Sequence, residues 1–452
     1  MKSTRVVIAL ALTAAAVRLL PLHFLHPLNW DEIEFWRATS WIAEGRMPFR
    51  DFWEHHTPLT WFLFAPVTLL SKSPGVDAVI LLRWAQIPLW ILTFWLTNVW
   101  MRNAGLDRFA RWAAMALALS SSLFMLPAVE YRVEALGCAL LMGGLVLAQR
   151  EKYVLAGVVF CLAGFANLRL GPVLVIAVLA LLVAKKLRAW PIILGGGITL
   201  IAALAVCYAN GMLQPLYEQV WADNLAERYA TPVLNAFVHR LLVPFGVRIL
   251  ATDRFFELAA VDAGGIAVLV FGCIGFFVAL FRRSPVVLIA VLQLANLFFI
   301  ASMKFIYNYH FALAVILMIP LIAIVLERRA LSPSFVVAIV ILAWSVNAFA
   351  SIFRGKELDR MHQDTIMRAA HARTRPGDAV FSGIPWALQR EPAYRFWFLP
   401  ELARQLVRNG QAPKYNPWDN PPAAVVVDYN VLQWISSVQR ELAPFFTRHY
   451  IP

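Results

Sequence analysis

The chain has 452 residues, of which 60% are hydrophobic and 15% are charged. Soluble domains have about 25% charged residues, so this composition indicates an integral membrane protein. The formal net charge is +13, but the basic residues lie between apolar segments rather than together on one soluble face, which argues against a nucleic-acid partner. The four cysteines all lie within apolar segments, so we expect neither a disulfide nor a cysteine-based metal framework.

Apolar segments recur along most of the chain. Taking about 20 apolar residues as one crossing, the sequence predicts about eleven membrane spans. They lie near residues 6–25, 76–101, 109–127, 133–148, 154–168, 171–183, 192–208, 264–281, 286–302, 311–326 and 335–353. The first segment also has the basic and apolar regions of a signal peptide, but we favour a retained first span because later spans follow it.

The short loops between these segments differ in charge. Basic residues are concentrated in every second loop, at Lys2, Arg5, Arg102, Arg108, Arg111, Arg150, Lys152, Lys185, Lys186, Arg188, Arg282, Arg283, Arg328 and Arg329. Such loops stay on the cytoplasmic side. We therefore expect a multi-pass protein of the cytoplasmic (inner) membrane, with the amino terminus inside and with residues 26–75, 209–257 and 354–452 outside.

The tail from residue 354 is less apolar. Its segments GDAVFSG and AAVVVDY are typical of short buried strands, while PELARQLVRNG and VLQWISSVQREL are typical of amphipathic helices. The sequence therefore predicts a multi-span domain, residues 1–353, followed by a small extracytoplasmic α/β domain, residues 354–452.

The first outer loop, residues 26–75, combines charged and aromatic side chains. A helix starting near Asp31 would place Ile33 and Trp36 at the membrane interface and Arg37 in water. A carboxylate at Asp31, in the first turn, would interact favourably with the positive end of the helix dipole. A purely structural role as a helix cap is therefore one alternative for Asp31.

Two motifs resemble those of the GT-C membrane glycosyltransferases. DEIEFWRATSWIAEGRMPFRDF followed by HHTPLTWFLFAPV resembles their first outer loop, and VEYRVEALGCALL resembles their Arg-x-acid segment before the fourth span. The nearest groups are the protein O-mannosyltransferase-like enzymes and the aminoarabinose transferases that modify lipid A. The resemblance is strongest over residues 6–134.

This resemblance implies a helical polytopic GT-C-like fold and an inverting glycosyltransferase. Such an enzyme moves a sugar from a polyprenyl-phosphate donor to a glycan, lipid or protein acceptor on the outer face of the membrane. An acceptor hydroxyl is a weak nucleophile that needs a base. Asp31 is the predicted base. Glu32 would orient the acceptor, or could hold a divalent cation together with Asp31.

The phosphate leaving group needs fixed cations. The predicted phosphate-binding residues are Arg132, Arg169, Lys304 and His56, although His56 stands where relatives often have lysine. Pairing with carboxylates is the alternative role for these cations.

Tyr307, His310 and Glu134 are predicted substrate contacts, with Tyr309 beside them. Aromatic residues near a membrane boundary also form interfacial belts, which is the alternative for the two tyrosines.

His55 and His56 are not predicted to bind a metal. Adjacent histidines are expected to point in different directions, and no third ligand lies at a suitable spacing. No Walker loop or dinucleotide motif occurs. The main alternative function is a polytopic transporter or lipid-linked-sugar flippase, and a non-catalytic envelope subunit is a third. The position of most ionisable residues near the outer ends of the spans favours the transferase.

Overall fold

A computed structural model describes residues 6, 9, 13, 19–20, 22–71, 73–223, 263–282, 284–303, 307–327, 332–352 and 357–450. Most of the predicted first span, most of the outer loop 209–257 and the predicted phosphate ligand Lys304 lie outside these residues.

Helices dominate the described ranges. In chain order they are α1 (Trp30–Ala43), α2 (Leu59–Thr68), α3 (Asp77–Asn103), α4 (Arg108–Ser120), α5 (Ser122–Val129), α6 (Val133–Gln149), α7 (Tyr153–Ala166), α8 (Gly171–Lys185), α9 (Pro191–Ala209), α10 (Leu213–Leu216), α11 (Ala263–Arg282), α12 (Val287–Ser302), α13 (Ala312–Leu326), α14 (Pro333–Ile352), α15 (Glu357–Ala372), α16 (Glu401–Arg408), α17 (Tyr429–Ser437) and α18 (Leu442–His449). The strands are β1 (Ala379–Ser382), β2 (Glu391–Pro392) and β3 (Ala424–Val426). Shorter helical turns occur at Leu168–Leu170, Lys186–Ala189, Tyr217–Ala222 and Asn308–Phe311.

Five segments within the described ranges are long and apolar enough to cross a membrane. They are Asp77–Asn103, Leu168–Lys185, Pro191–Ala209, Gly264–Arg282 and Tyr309–Leu326. A bent pair of helices would make a sixth span, and shorter apolar helices lie at several other predicted positions. The chain is therefore a helical polytopic membrane protein. The count of about eleven spans remains a prediction.

The predicted span over residues 109–127 is divided between two helices. Helices α4 and α5 meet there at 73°. Ser121 between them has an extended backbone (φ −73°, ψ 131°), and its side chain accepts a hydrogen bond from the backbone N–H of Leu123. A serine that caps a new helix in this way ends the preceding one.

One compact unit comprises residues 1–24, 86–203 and 230–355. Its central helix is α13, because 94% of the residues in the span Tyr309–Leu326 are buried, against 17% in Pro191–Ala209. Helix α13 packs against α4, α11 and α12. A helix that is apolar all round is expected at such a central position.

Helices α7 and α9 approach each other closely within this unit. A Cβ atom added at Gly195 would overlap the carbonyl oxygen of Val154, whereas one added at Gly197 would meet nothing within 4 Å. The two glycines are on the same helix but differ in what surrounds them.

The second compact unit comprises residues 25–85, 204–229 and 356–452. Its three-stranded parallel sheet has the order β2-β1-β3, with Val380 opposite Pro392 on one side and Ala424 on the other. The predicted tail strands and amphipathic helices are confirmed as β1, β3, α16 and α17. The predicted domain boundary at residues 353 and 354 remains a prediction.

The tail and the first outer loop are hydrogen-bonded to each other within this unit. Arg37 Nη2 donates to the carbonyl of Arg390 (2.7 Å), and Trp397 Nε1 donates to the carbonyl of Trp53 (2.6 Å). Gln363 bonds both the N–H and the carbonyl of Leu28, at 2.8 and 2.9 Å. The loop that carries Asp31 is therefore held from the carboxyl-terminal part of the chain.

We predict that Gly195→Ala destabilises the protein by about 1–3 kcal/mol, because the added methyl group forces α7 and α9 apart. Gly197→Ala is the matched control on the same helix, and it should be neutral or stabilising by less than about 1 kcal/mol, since alanine is the better helix former. Thermal unfolding of the two purified variants in detergent would measure the difference. Equal melting temperatures would contradict the close helix contact.

Candidate functional site

Helix α1 begins with a capping box. The side chain of Asn29 accepts a hydrogen bond from the N–H of Asp31 (3.2 Å), and Glu32 Oε2 accepts one from the N–H of Asn29 (2.9 Å). The N-cap residue is therefore Asn29, while Asp31 lies in the first turn, where its carboxylate can interact with the helix dipole as the structural alternative expects. Asp31 lies in the first turn and is partly exposed, while Glu32 is buried.

Glu32 forms a buried ion pair with Arg83 at the start of α3. The guanidinium donates from Nε to Oε1 (2.7 Å) and from Nη2 to Oε2 (2.6 Å), and both side chains are fully buried. Arg83 also donates to the carbonyls of His26 (2.9 Å) and Pro27 (3.1 Å). These contacts favour a positioning role for Glu32 at the helix start. A divalent cation shared with Asp31 would have to replace Arg83.

Most of α1 is buried, including its charged side chains. Arg37 is 3% exposed, and its guanidinium lies 4.4 Å from the ring centroid of Trp41. The expectation that Arg37 faces water is therefore wrong. The reason is its hydrogen bond to Arg390, a residue of the tail that the local pattern of α1 does not reveal.

Two glutamates and two histidines meet beside α1. Donor atoms of Glu34, Glu54, His55 and His56 all lie within 4.8 Å of one another. The rings of His55 and His56 have centroids 4.0 Å apart, so the expectation that they point in different directions is wrong. Burial raises the pKa of Glu54 to about 8, although it accepts hydrogen bonds from the backbone N–H groups of both histidines.

Sequence reasoning missed this cluster. Glu54 directly precedes the two histidines in the sequence. Glu34 lies on α1, and it comes close to them only in the folded chain.

A second charged cluster lies in the other compact unit, where α5 ends and α6 begins. Arg132 caps α6 with an extended backbone (φ −147°, ψ 153°), and its N–H donates to Gln86 Oε1 (3.1 Å). Its guanidinium pairs with Glu130 (3.0 Å) and Glu134 (3.2 Å) and is 1% exposed. Pairing with carboxylates, the alternative role given to this arginine, is thus present.

Arg169 joins the same cluster. It lies in the turn Leu168–Leu170, whose start is capped by the side chain of Asn167. Its Nη1 donates to Glu134 Oε1 (3.3 Å), so Glu134 links the two arginines. At 19% exposure, the Arg169 side chain is more open than that of Arg132.

Aromatic side chains complete this cluster. The guanidinium carbon lies 3.4 Å from the Tyr309 ring centroid for Arg132 and 5.3 Å for Arg169. Tyr307 stacks on Tyr309, with centroids 5.3 Å apart, and His310 meets Tyr309 edge-on at 4.6 Å. Tyr309 thus lies against both arginines, as expected for cation–π pairs.

A small cleft opens beside Arg169. Its lining includes Glu134, Arg169, His310, Cys138, Asn296 and Met303. Asn296 was not a predicted site residue, since a single amide in an apolar helix carries no motif. The cleft thus brings together three predicted residues, Glu134, Arg169 and His310.

No protein-family model matches the chain, and no curated protein matches it. Among solved structures, it is similar to ArnT from Cupriavidus metallidurans bound to undecaprenyl phosphate, with a TM-score of 0.59 and 12% sequence identity over 90% of this chain and 92% of that one. The chain has the ArnT fold. ArnT in the apo state gives a TM-score of 0.58 and 13% identity, over 99% and 95% of the two chains.

The ArnT fold confirms the fold that the GT-C resemblance implied. At 12–13% identity the similarity concerns the fold alone. The roles of Asp31, Glu32, Arg132, Arg169 and the other candidates remain predictions.

We predict that Glu32→Gln destabilises the protein by about 3–5 kcal/mol, because it leaves Arg83 buried without its counter-charge. Glu441→Gln is the control, since its side chain is 60% exposed and its contact with Lys414 is at the surface. Surface pairs contribute about 0–1 kcal/mol. Thermal unfolding followed by tryptophan fluorescence would compare the variants, and a Glu32→Gln protein as stable as the control would contradict the structural role.

Proposed function

We propose that the chain is an inverting glycosyltransferase that takes a sugar from a polyprenyl-phosphate donor. The observation that carries the proposal is the similarity to ArnT over at least 90% of the chain, including the structure bound to undecaprenyl phosphate. The motifs that resemble GT-C enzymes at residues 31–67 and 129–141 support it. The acceptor would be an envelope glycan, a lipid or a protein.

Asp31 is the proposed general base. Of the two carboxylates in the first turn of α1, Glu32 is held by Arg83 and Asn29, whereas Asp31 is partly exposed. In the reaction, the acceptor oxygen forms a bond to the anomeric carbon while the bond from that carbon to the phosphate oxygen breaks. The hydroxyl proton passes to Asp31, and the polyprenyl phosphate leaves with its electron pair.

Arg169 and Arg132 are the proposed cations for the donor phosphate. Arg169 lines the cleft and has Glu134 as its ion-pair partner in the described part of the chain. A phosphate could take the place of Glu134 at this guanidinium, as arginine binds both groups through N–H donors. Because the two arginines are balanced by Glu130 and Glu134, additional positive charge is needed for a dianionic leaving group. Lys304 and His56 remain the proposed sources.

The aromatic group at this cluster would define one wall of the donor site. Tyr309 covers both guanidinium groups, while Tyr307 is 43% exposed and stacks on it. Tyr307 and His310 are therefore proposed to contact the sugar or the phosphate, with Glu134 as a further substrate contact.

Transfer is proposed on the outer face of the inner membrane, with the amino terminus inside and the tail outside. The basic residues concentrated in alternate loops support this orientation. A transporter has no specific support from the described residues, since the buried charges form local clusters with their counter-ions rather than a paired, interrupted-helix site.

We predict that Asp31→Asn lowers turnover by about 10²–10⁴-fold, because the amide keeps the shape but cannot accept the proton. Glu44→Gln is the matched control, as it lies at the other end of the same helix with its side chain 47% exposed. Transfer from a synthetic polyprenyl-phosphate sugar to extracted envelope acceptors would be measured by mass spectrometry. Transfer at the parent rate by Asp31→Asn would remove Asp31 as the base.

We predict that Arg169→Gln weakens binding of undecaprenyl phosphate by about 10–100-fold, because a hydrogen bond between charged groups contributes about 1.5–3 kcal/mol. Arg150→Gln is the matched control, since this exposed arginine follows the opposite end of α6 from Arg132. Titration of the lipid into each purified protein, followed by tryptophan fluorescence, would give the dissociation constants. Equal affinities would place the phosphate elsewhere.

A further inference from the structure

The cluster of Glu34, Glu54, His55 and His56 enters the proposed transfer only through His56, a predicted phosphate contact that a metal-ligand role would replace. We propose that these four side chains bind one Zn²⁺ ion, which fixes the first outer loop to α1. This inference goes beyond the proposed function and does not depend on it. Glutamate oxygens and histidine nitrogens are both common Zn²⁺ ligands, and four protein ligands with no open position are typical of structural sites.

The spacing of the donor atoms suits a tetrahedral ion. Metal–ligand distances of about 2.0–2.2 Å place tetrahedral donors about 3.3–3.6 Å apart. Glu34 Oε1 lies 3.6 Å from His56 Nδ1 and 3.8 Å from His55 Nδ1, and Glu54 Oε1 lies 3.8 Å from His55 Nδ1. Glu54 and His56 are at hydrogen-bond distance, 2.9 Å, and the two other pairs, Glu34 with Glu54 and His55 with His56, lie within 4.8 Å. Adjustments of about 1 Å would therefore bring these atoms onto one ion.

The burial of the carboxylates favours a cation at their centre. Glu54 is fully buried, and its Oε2 has no hydrogen-bond partner among the described residues. The Glu34 side chain is 2% exposed. Carboxylates at this depth are costly to ionise, and a divalent ion supplies the compensating charge that neutral histidines do not.

The surroundings hold the ligands in place. The backbone N–H of Glu54 donates to Gln219 Oε1 (2.9 Å), and Gln219 Nε2 donates to the carbonyl of Phe49 (2.9 Å). The ring of His55 stacks on Trp53, with centroids 5.0 Å apart. Such supporting contacts orient metal ligands before the ion binds.

The ion would link two elements that are separate in sequence. Glu34 is on α1, whereas the other three ligands lie in the loop before α2. His56 is the most exposed of the four, at 14%, which gives the ion a route from solvent. Zn²⁺ would thus fix the loop against the helix that carries Asp31.

The test is the zinc content of the full-length protein purified from cells grown with added zinc. We expect about one Zn²⁺ per chain in the parent and at least a fivefold loss in His56→Gln and Glu54→Gln. His371→Ala and Glu391→Gln are the matched controls, because they remove the same residue types elsewhere in the same compact unit. They should keep the parent's zinc content.

A measurement on the parent alone guards against variants that fail to fold. X-ray absorption at the zinc edge should show four N/O ligands at about 2.0–2.1 Å with the scattering pattern of imidazole rings. A parent without zinc, even after incubation with zinc chloride, would overturn the proposal and leave a metal-free His56–Glu54 ion pair. Equal zinc loss in the controls and the ligand variants would also overturn it.

Discussion

The negative charge of a carboxylate buried in so apolar a chain must be neutralised by a nearby positive charge, because transferring an isolated ion from water into the protein interior costs several kcal/mol. Among the described residues, arginine side chains neutralise buried carboxylates at two places. Arg83 compensates Glu32 through two short hydrogen bonds, and Arg132 and Arg169 compensate Glu130 and Glu134. Each arrangement also fixes the start of a helix, α1 in the first case and α6 in the second. Charge compensation and backbone positioning therefore come from the same side chains.

This requirement separates the roles of neighbouring carboxylates. Glu32 and Asp31 are adjacent, yet the capping box and Arg83 occupy both oxygens of Glu32. Loss of either of the hydrogen bonds from Arg83 would leave a fully buried arginine without part of its counter-charge. Asp31 is partly exposed, and its backbone N–H donates to the side chain of Asn29. The proposed base is thus the more exposed of the two first-turn carboxylates.

The local features of the site were predictable from sequence, and its long-range contacts were not. The strands and helices of the tail follow from alternation and amphipathic spacing over a few residues, and Arg132 stands two residues from each of its glutamate partners. The burial of Arg37 depends on Arg390, more than 300 positions away, and the meeting of Glu34 with His55 depends on the loop after α1 folding back. Sequence periodicity does not indicate such contacts, because each of the two residues in a contact could equally well be exposed. The break at Ser121 was missed for a related reason, since apolar residues continue through it.

The hydrogen bonds between the first outer loop and the tail give the tail a part in the geometry of the site. Leu28, just before α1, is held by Gln363, while Trp53, in the loop after α1, accepts from Trp397. Arg46 also pairs with Glu391 (2.9 Å), and this contact lowers the pKa of Glu391. Contacts before, within and after α1 thus restrict the helix more than its own capping box does, because a short helix has little intrinsic stability. The orientation of Asp31 is consequently a property of the whole compact unit, including residues 356–452, rather than of the DE motif alone.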